Sequence, residues 1–182
     1  MKIIKLVSIL AVCVYLFGCA SAATMENMLY QGDPKTYDKR LKDNIEVASV
    51  SGGERTNILW TSKISSEAFS NAVKESLSKQ GLLSEDGKYQ LKIQMIKVEQ
   101  PLVGHDLTVT THVQYILTDS TDNAVIFDET IIAPHTATVS DNFGAFVRLQ
   151  LANEGSGRKN IEGFLEKLSD AKINSKEISV VQ

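Results

Sequence analysis

The chain has 182 residues, of which 23% are charged, and a formal net charge of −3 at pH 7; this size is typical of a single domain. The acidic balance argues against nucleic-acid binding, which requires a basic face. Both cysteines, Cys13 and Cys19, lie near the amino terminus. The rest of the chain can therefore form no disulfide, cysteine-ligated metal site or cysteine nucleophile.

Residues 1–18 have the features of a secretory signal. Lys2 and Lys5 precede an apolar run at 6–17 that only Ser8 interrupts. This run is too short to span a bilayer core of about 30 Å, which needs roughly 20 apolar residues, but it suits the hydrophobic region of a signal peptide. Small residues follow, so an ordinary cut after an alanine at 20–23 would leave a soluble secreted or periplasmic domain.

The sequence Leu16-Phe17-Gly18-Cys19 resembles the lipidation box of bacterial lipoproteins. The resemblance implies transfer of diacylglycerol to the Cys19 thiol, cleavage before Cys19 and acylation of the new amino group. Phe17 departs from the commonest pattern, in which that position is small or β-branched. Two or more acyl chains anchor a protein stably, so a membrane is the first expected partner. By resemblance to enterobacterial sorting, Ala20 favours the periplasmic face of the outer membrane.

Residues 19–44 are polar and contain a turn signal at 32–34. We interpret them as a lipidated tether between membrane and domain, in which Met28, Leu29 and Tyr30 could dock back. The folded domain is expected to span 45–172, and residues 173–182 to form a loose tail.

Apolar residues alternate with polar ones in four segments, as expected of strands with one buried face. These predicted strands cover residues 45–51, 89–95, 107–117 and 125–139. Pro134 lacks a ladder donor, which indicates an edge position or a bulge. The loop between the third and fourth strands lies at 119–123.

Two helices are predicted from caps and helical spacing. The first begins after an N-cap at Ser65 and ends at Gly81. The second covers residues 144–170, with a cap at 141–142. Gly155 and Gly157 fall in its middle, where each costs about 1 kcal/mol against alanine. Either this helix kinks there or two helices meet.

The order β-α-β-β-β-α predicts an α+β fold. A right-handed crossover makes the first two strands parallel, and a meander follows. The sheet is therefore four-stranded, mixed and mostly antiparallel. Both helices cover one of its faces, which gives a two-layer sandwich.

Two groups of polar residues are candidates for partner binding or structure. A possible partner surface is the polar face of the third strand: Thr108, Thr110, His112 and Gln114. A free strand edge is the alternative, since edges pair readily with another chain. Glu154, Arg158 and Asn160 form the densest polar cluster of the second helix. They are either surface residues, with Glu154 and Arg158 paired at i and i+4, or a partly buried network that fixes the kink or contacts a partner.

A third group could carry chemistry. If the hairpin is centred near Thr121, His135 falls opposite Leu107, close to His105 and Asp106. Two imidazoles and a carboxylate can bind a metal, so this grouping supports an envelope hydrolase or acyltransferase as the alternative function. The competing interpretation is a set of surface histidines, because a one-residue slip moves every side chain to the other face. No phosphate-binding, dinucleotide-binding or H-E-x-x-H motif is present, and we predict no catalytic residues, metal or cofactor.

The lipidation box and the element order together resemble small envelope lipoproteins of Gram-negative bacteria. These include auxiliary lipoproteins of ABC-type export systems and the lipoprotein partner of the lipopolysaccharide translocon. The resemblance covers residues 45–170 and rests on topology and pattern, so Cys19 alone can be carried over as a functional residue. It implies a non-catalytic binding or assembly module with an envelope protein or a lipid as partner, in lipid or lipopolysaccharide transport or outer-membrane maintenance.

Overall fold

A computed structural model describes residues 21–56 and 61–171 of the chain. The predicted lipidation site at Cys19 and the predicted tail at 173–182 lie outside these ranges. The helices are α1 (Met25–Met28), α2 (Ser66–Lys79) and α3 (Ala145–Asp170), with a 3₁₀ turn at Lys39–Leu41. The strands are β1 (Ile45–Ser51), β2 (Tyr89–Glu99), β3 (Leu107–Asp119) and β4 (Val125–Ala137).

The four strands form one sheet in the order β1-β2-β3-β4. Strand β1 pairs parallel with β2, and β3 and β4 follow in antiparallel pairings. The predicted α+β sandwich is therefore confirmed, including the crossover through α2. Pro134 lies in β4, which is an edge strand, as its missing amide hydrogen indicates.

Helix α2 begins and ends where its sequence signals predict. The Ser65 hydroxyl accepts a hydrogen bond from the Ala68 amide at 3.1 Å, which satisfies one of the free amides of the first turn. Gly81 follows the helix with a φ of +66°, a conformation that costs other residues a steric penalty. The helix buries Phe69, Val73 and Leu77 against the sheet.

The core lies between the sheet and the helices. Tyr115 of β3 stacks on Phe164 of α3 with ring centres 4.2 Å apart, and Phe127 of β4 meets the same ring edge-on. Residues 21–44, which we expected to form a tether, contribute to this core as well. Met28 and Leu41 are fully buried there, because the helices leave an apolar gap that their side chains fill.

The second predicted helix is a single continuous helix, which excludes one of the two alternatives, that two helices meet at its glycines. It begins after Gly144 and not at a cap formed by residues 141–142; the Asn142 side chain accepts the Gly144 amide at 2.8 Å and belongs to the preceding turn. Glycine suits positions 155 and 157 although both lie in mid-helix, because other side chains occupy the space that a Cβ atom would need there. The His135 ring lies on Gly155, and the Met28 sulfur lies 2.7 Å from where a Cβ of residue 157 would be.

We predict that Gly155→Ala lowers the free energy of unfolding by about 1–3 kcal/mol, because the added methyl group would overlap the His135 ring. This loss should outweigh the gain of about 1 kcal/mol in helix propensity. Urea unfolding of the variant and the parent measures the difference.

The matched control introduces Gly155→Ala into a His135→Ala background. With the ring gone, the alanine should be neutral or stabilising. An equal loss in both backgrounds would show that the ring is not the cause.

Candidate functional site

Helix α3 turns an unusual number of polar side chains inward. Five polar or charged residues of this helix are almost completely buried: Arg148, Asn153, Glu154, Ser156 and Asn160. An unpaired polar group costs about 1–3 kcal/mol when buried. The partners of these side chains therefore determine how the helix lies on the domain.

Ser156 joins the helix to the sheet. Its Oγ accepts the Thr111 amide at 3.0 Å and donates to the Ala133 carbonyl at 2.7 Å. Thr111 and Ala133 face each other in the register of β3 and β4, so the hydroxyl bridges the two strands. A side chain this short reaches the strands only if helix and sheet approach closely, and the neighbouring Gly155, which lies against the His135 ring of β4, permits that approach.

Asn160 makes a second connection, one turn further along the helix. Its amide nitrogen donates to the carbonyls of Thr111 and Ile131, and its oxygen accepts the Tyr115 hydroxyl at 2.8 Å. Burial raises the pKa of Tyr115 well above its ordinary value, which keeps the phenol protonated as the donor. Asn160 thus connects the helix to both strands.

Glu154 holds the amino-terminal segment instead of the sheet. Its carboxylate accepts hydrogen bonds from the Thr24 amide at 2.9 Å, the Asn27 side chain at 2.8 Å and the Gln150 side chain at 3.0 Å. Arg158 donates to the Asn27 carbonyl at 3.3 Å. The predicted cluster of Glu154, Arg158 and Asn160 is therefore two separate networks: the first two residues secure α1, and Asn160 faces the strands.

A cleft of about 320 Å³ lies beside this helix, lined by residues that include Asn27, His135, Asp141, Glu154 and Arg158. Partial burial lowers the pKa of His135, as do the nearby charges of Lys159 and Arg158, while Asp141 opposes the shift. Hydrogen bonds from the amide and hydroxyl of Thr138 lower the pKa of Asp141. The carboxylates of Glu154 and Asp141 and the guanidinium of Arg158, which all line the cleft, make hydrogen bonds within the domain.

The predicted grouping of His105, Asp106 and His135 rests on a register that differs from the observed one. His135 pairs with Val109, and Leu107 pairs with Ala137. The hairpin closes at Asp119 and Ala124, and a bulge beside Leu117 shifts the pairing further. His135 lies against α3, whereas His105 is in an exposed loop and Asp106 accepts the Val139 amide. Within the described ranges, no three His, Cys, Asp or Glu residues are grouped so as to hold a metal ion.

The four residues of the predicted partner surface do share the sheet face opposite the helices. They alternate along β3, with Thr108 bonded to Thr136 and Gln114 bonded to Asp128 at 2.8 Å each. The imidazole of His112 lies 3.7 Å from the carboxylate of Glu99 on β2. The hydrogen bonds of Thr108 and Gln114 run across the sheet to β4, so these two side chains stabilise the sheet as well as lining its outer surface.

Two isoleucines on the same face were not among the predicted site residues. Ile132, directly opposite His112, has 59% of its surface exposed, and Ile96, beside the β2 bulge, has 54%. The signal for them is in the sequence: two consecutive apolar residues, Met95-Ile96 and Ile131-Ile132, interrupt alternating strands. In such a pair one side chain must face outward.

No family model matches the chain, and no curated protein matches it. Among solved structures, it is similar to the hypothetical protein CT253 from Chlamydia trachomatis, with a TM-score of 0.51 and 9% identity over 71% of this chain and 97% of that chain. It is also similar to protein XCC0632 from Xanthomonas campestris, of the DUF330 family. The TM-score is 0.49 and the identity 13%, over 81% of this chain and 98% of that chain. A candidate lipoprotein from Caulobacter crescentus has a TM-score of 0.45 and an identity of 15%, over 58% of this chain and 80% of that chain. At such identities the similarity to the Chlamydia protein concerns the fold alone.

None of the helices in the described ranges combines the length and the apolar character that crossing a bilayer requires.

We predict that Glu154→Gln lowers the free energy of unfolding by about 1–3 kcal/mol. A neutral amide cannot accept from Thr24 and Asn27 on both of its end atoms, so one of these donors loses its partner and the buried side chain at 154 gains an amide group without an acceptor. Hydrogen exchange at the Thr24 amide should accelerate more than exchange in the sheet. Glu162→Gln, at an exposed position of the same helix, is the control, and equal effects of the two substitutions would contradict the role of Glu154.

A second prediction concerns pH. The pKa of His135 is below its ordinary value of 6.5 in the folded chain, so the unfolded chain takes up this proton first as the pH falls. Stability is therefore complete above pH 6.5 and decreases as the pH falls from there towards the folded-state pKa. His135→Gln should flatten the dependence in that window, measured by urea unfolding at several pH values. His105→Gln is the control, and an unchanged slope in the His135 variant would refute the prediction.

Proposed function

We propose that this protein is a lipid-anchored, non-catalytic binding module of the bacterial envelope, held on the periplasmic face of the outer membrane. The lipidation box at Cys19 supports the anchor, and the fold supports a compact platform. The partner surface is the outer sheet face around His112. The role we favour is assembly with another envelope protein, in lipid or lipopolysaccharide transport or outer-membrane maintenance.

The observation that carries the proposal is the outer face of β2–β4. Both long helices pack on the other face, and the outer face presents polar side chains with Ile96 and Ile132 exposed among them. Isolated apolar side chains on a polar surface are common, but two on the strands either side of one histidine resemble the apolar centre with polar rim of protein interfaces.

The anchor is tested by metabolic labelling with a fatty acid. We expect Cys19→Ser to abolish the label and Cys13→Ser to retain it, because the resemblance places Cys13 in the removed segment. Label that persists in the Cys19 variant would overturn the anchor without affecting the partner surface.

The partner surface is tested by photo-crosslinking in living cells. A crosslinker at position 132 should give one defined protein adduct, and Ile96→Asp should remove it. The same crosslinker at Lys74, exposed on α2, is the control. Equal adducts from positions 132 and 74, or no effect of Ile96→Asp, would contradict the proposed surface.

A further inference from the structure

Three apolar side chains are exposed far more than the other large apolar side chains of the described ranges. Leu102 is 99% exposed, Phe143 90% and Val103 87%. They lie in two loops, one between β2 and β3 and one between β4 and α3. We call these three residues the apolar loop tips. Exposed apolar groups that cluster usually mark a contact surface.

The two loops are held together by one buried side chain. Arg148 donates to the carbonyls of Asn142 and Phe143 at 2.8 Å each, and reaches the Gly104 carbonyl at 3.5 Å. The Val139 amide adds a bond to the Asp106 carboxylate. The apolar loop tips therefore belong to one end of the domain and project from a fixed base.

The amino-terminal segment reaches the domain beside the loop that carries Leu102. The Ala23 amide donates to the Lys63 carbonyl at 3.2 Å, and the Gln100 side chain donates to the carbonyl of the adjacent Ser62 at 3.0 Å. Gln100 is two residues before Leu102. Because Ala23 is buried and bound, the chain has no free tether after this point.

The distance to the membrane follows from chain length. Cys19 lies four positions before Ala23 in the sequence, and an extended chain spans at most about 3.5 Å per residue. The lipid-bearing residue is therefore within about 14 Å of a fixed point next to the loop of Leu102. A domain anchored this closely must lie on the bilayer, with the surface nearest its anchor facing the lipid.

We propose that the apolar loop tips Leu102, Val103 and Phe143 insert into the bilayer surface beside the acylated Cys19 and fix the orientation of the domain on the membrane. The proposal rests on the lipid anchor of the proposed function. It adds a second contact, which buries apolar side chains at the interface as amphipathic anchors do. The sheet face around His112 then remains available to a partner.

The charges near the loop tips fit an apolar contact better than an electrostatic one. Asp106 and Asp141 lie in the same two loops, and the chain without residues 1–18 has 17 basic and 22 acidic residues, since two of the 19 lysines and arginines are removed. A net charge of 17 − 22 = −5 gives no general attraction to anionic lipid. We therefore expect insertion to be insensitive to salt, unlike binding through basic residues.

The test uses the full acylated protein in vesicles of phosphatidylethanolamine with a minority of phosphatidylglycerol. Val103→Cys gives one free thiol for an environment-sensitive fluorophore, since Cys19 is acylated and Cys13 is removed. Thr121→Cys, in the exposed hairpin at the far end of β3, is the matched control. We expect nitroxide-labelled lipids to quench the label at position 103 and not the label at 121, at low and high salt alike.

A second variant checks that the apolar side chains cause the insertion. Leu102→Ser with Phe143→Ser should return the label at position 103 to the unquenched level of position 121. Both residues are exposed, so an unchanged unfolding midpoint is the expected control result. Quenching that persists in this variant would overturn the proposal.

The possible failures are distinguishable. Protein that floats with the vesicles while both labels stay unquenched retains the anchor but overturns the insertion. Protein that does not float lacks the anchor, and the insertion falls with the proposed function. A label at 103 that is unquenched in vesicles but shielded in native membranes overturns lipid insertion in favour of a protein partner.

Discussion

The contact between helix α3 and strands β3 and β4 is the constraint on which the rest of the structure depends. Ser156 and Asn160 replace apolar packing at its centre with hydrogen bonds to the backbones of both strands. Hydrogen bonds are directional, whereas apolar contacts tolerate sliding. The helix therefore has one position on the sheet, and the stacked rings of Tyr115 and Phe164 agree with it.

That position creates the site for the amino-terminal segment. With the helix fixed, Glu154 faces away from the strands, where its buried carboxylate needs donors. Thr24 and Asn27 supply them, and Met28 fills the space above Gly157. Glu154 and Gly157 of helix α3 thus attach the amino-terminal segment to the domain. With the lipid anchor that we propose at Cys19, this attachment gives a short reach between domain and membrane.

The two proposed surfaces are the outer sheet face around His112 and the apolar loop tips. Both lie outside the helix layer, whose buried side chains bind the strands and the amino-terminal segment. The buried side chains of Asn153, Glu154, Ser156 and Asn160 all bond within the domain, and we assign contacts with other molecules to the outer sheet face and to the loops at one end. The loop tips would orient the domain on lipid, and the sheet face would then receive a protein partner. Arg148 holds the loops in place from the buried side.

The sequence by itself determined the element order and the sheet face of nearly every strand residue, because alternation and capping are local signals. Ser65 and Gly81 set the two ends of helix α2 whatever that helix packs against. Only the tertiary structure decided that residues 21–44 dock, that the cluster at 154–160 divides into two networks, and that His135 pairs with Val109. These outcomes depend on contacts between residues as many as 131 positions apart and on a bulge that shifts the register. Local periodicity carries no information about either.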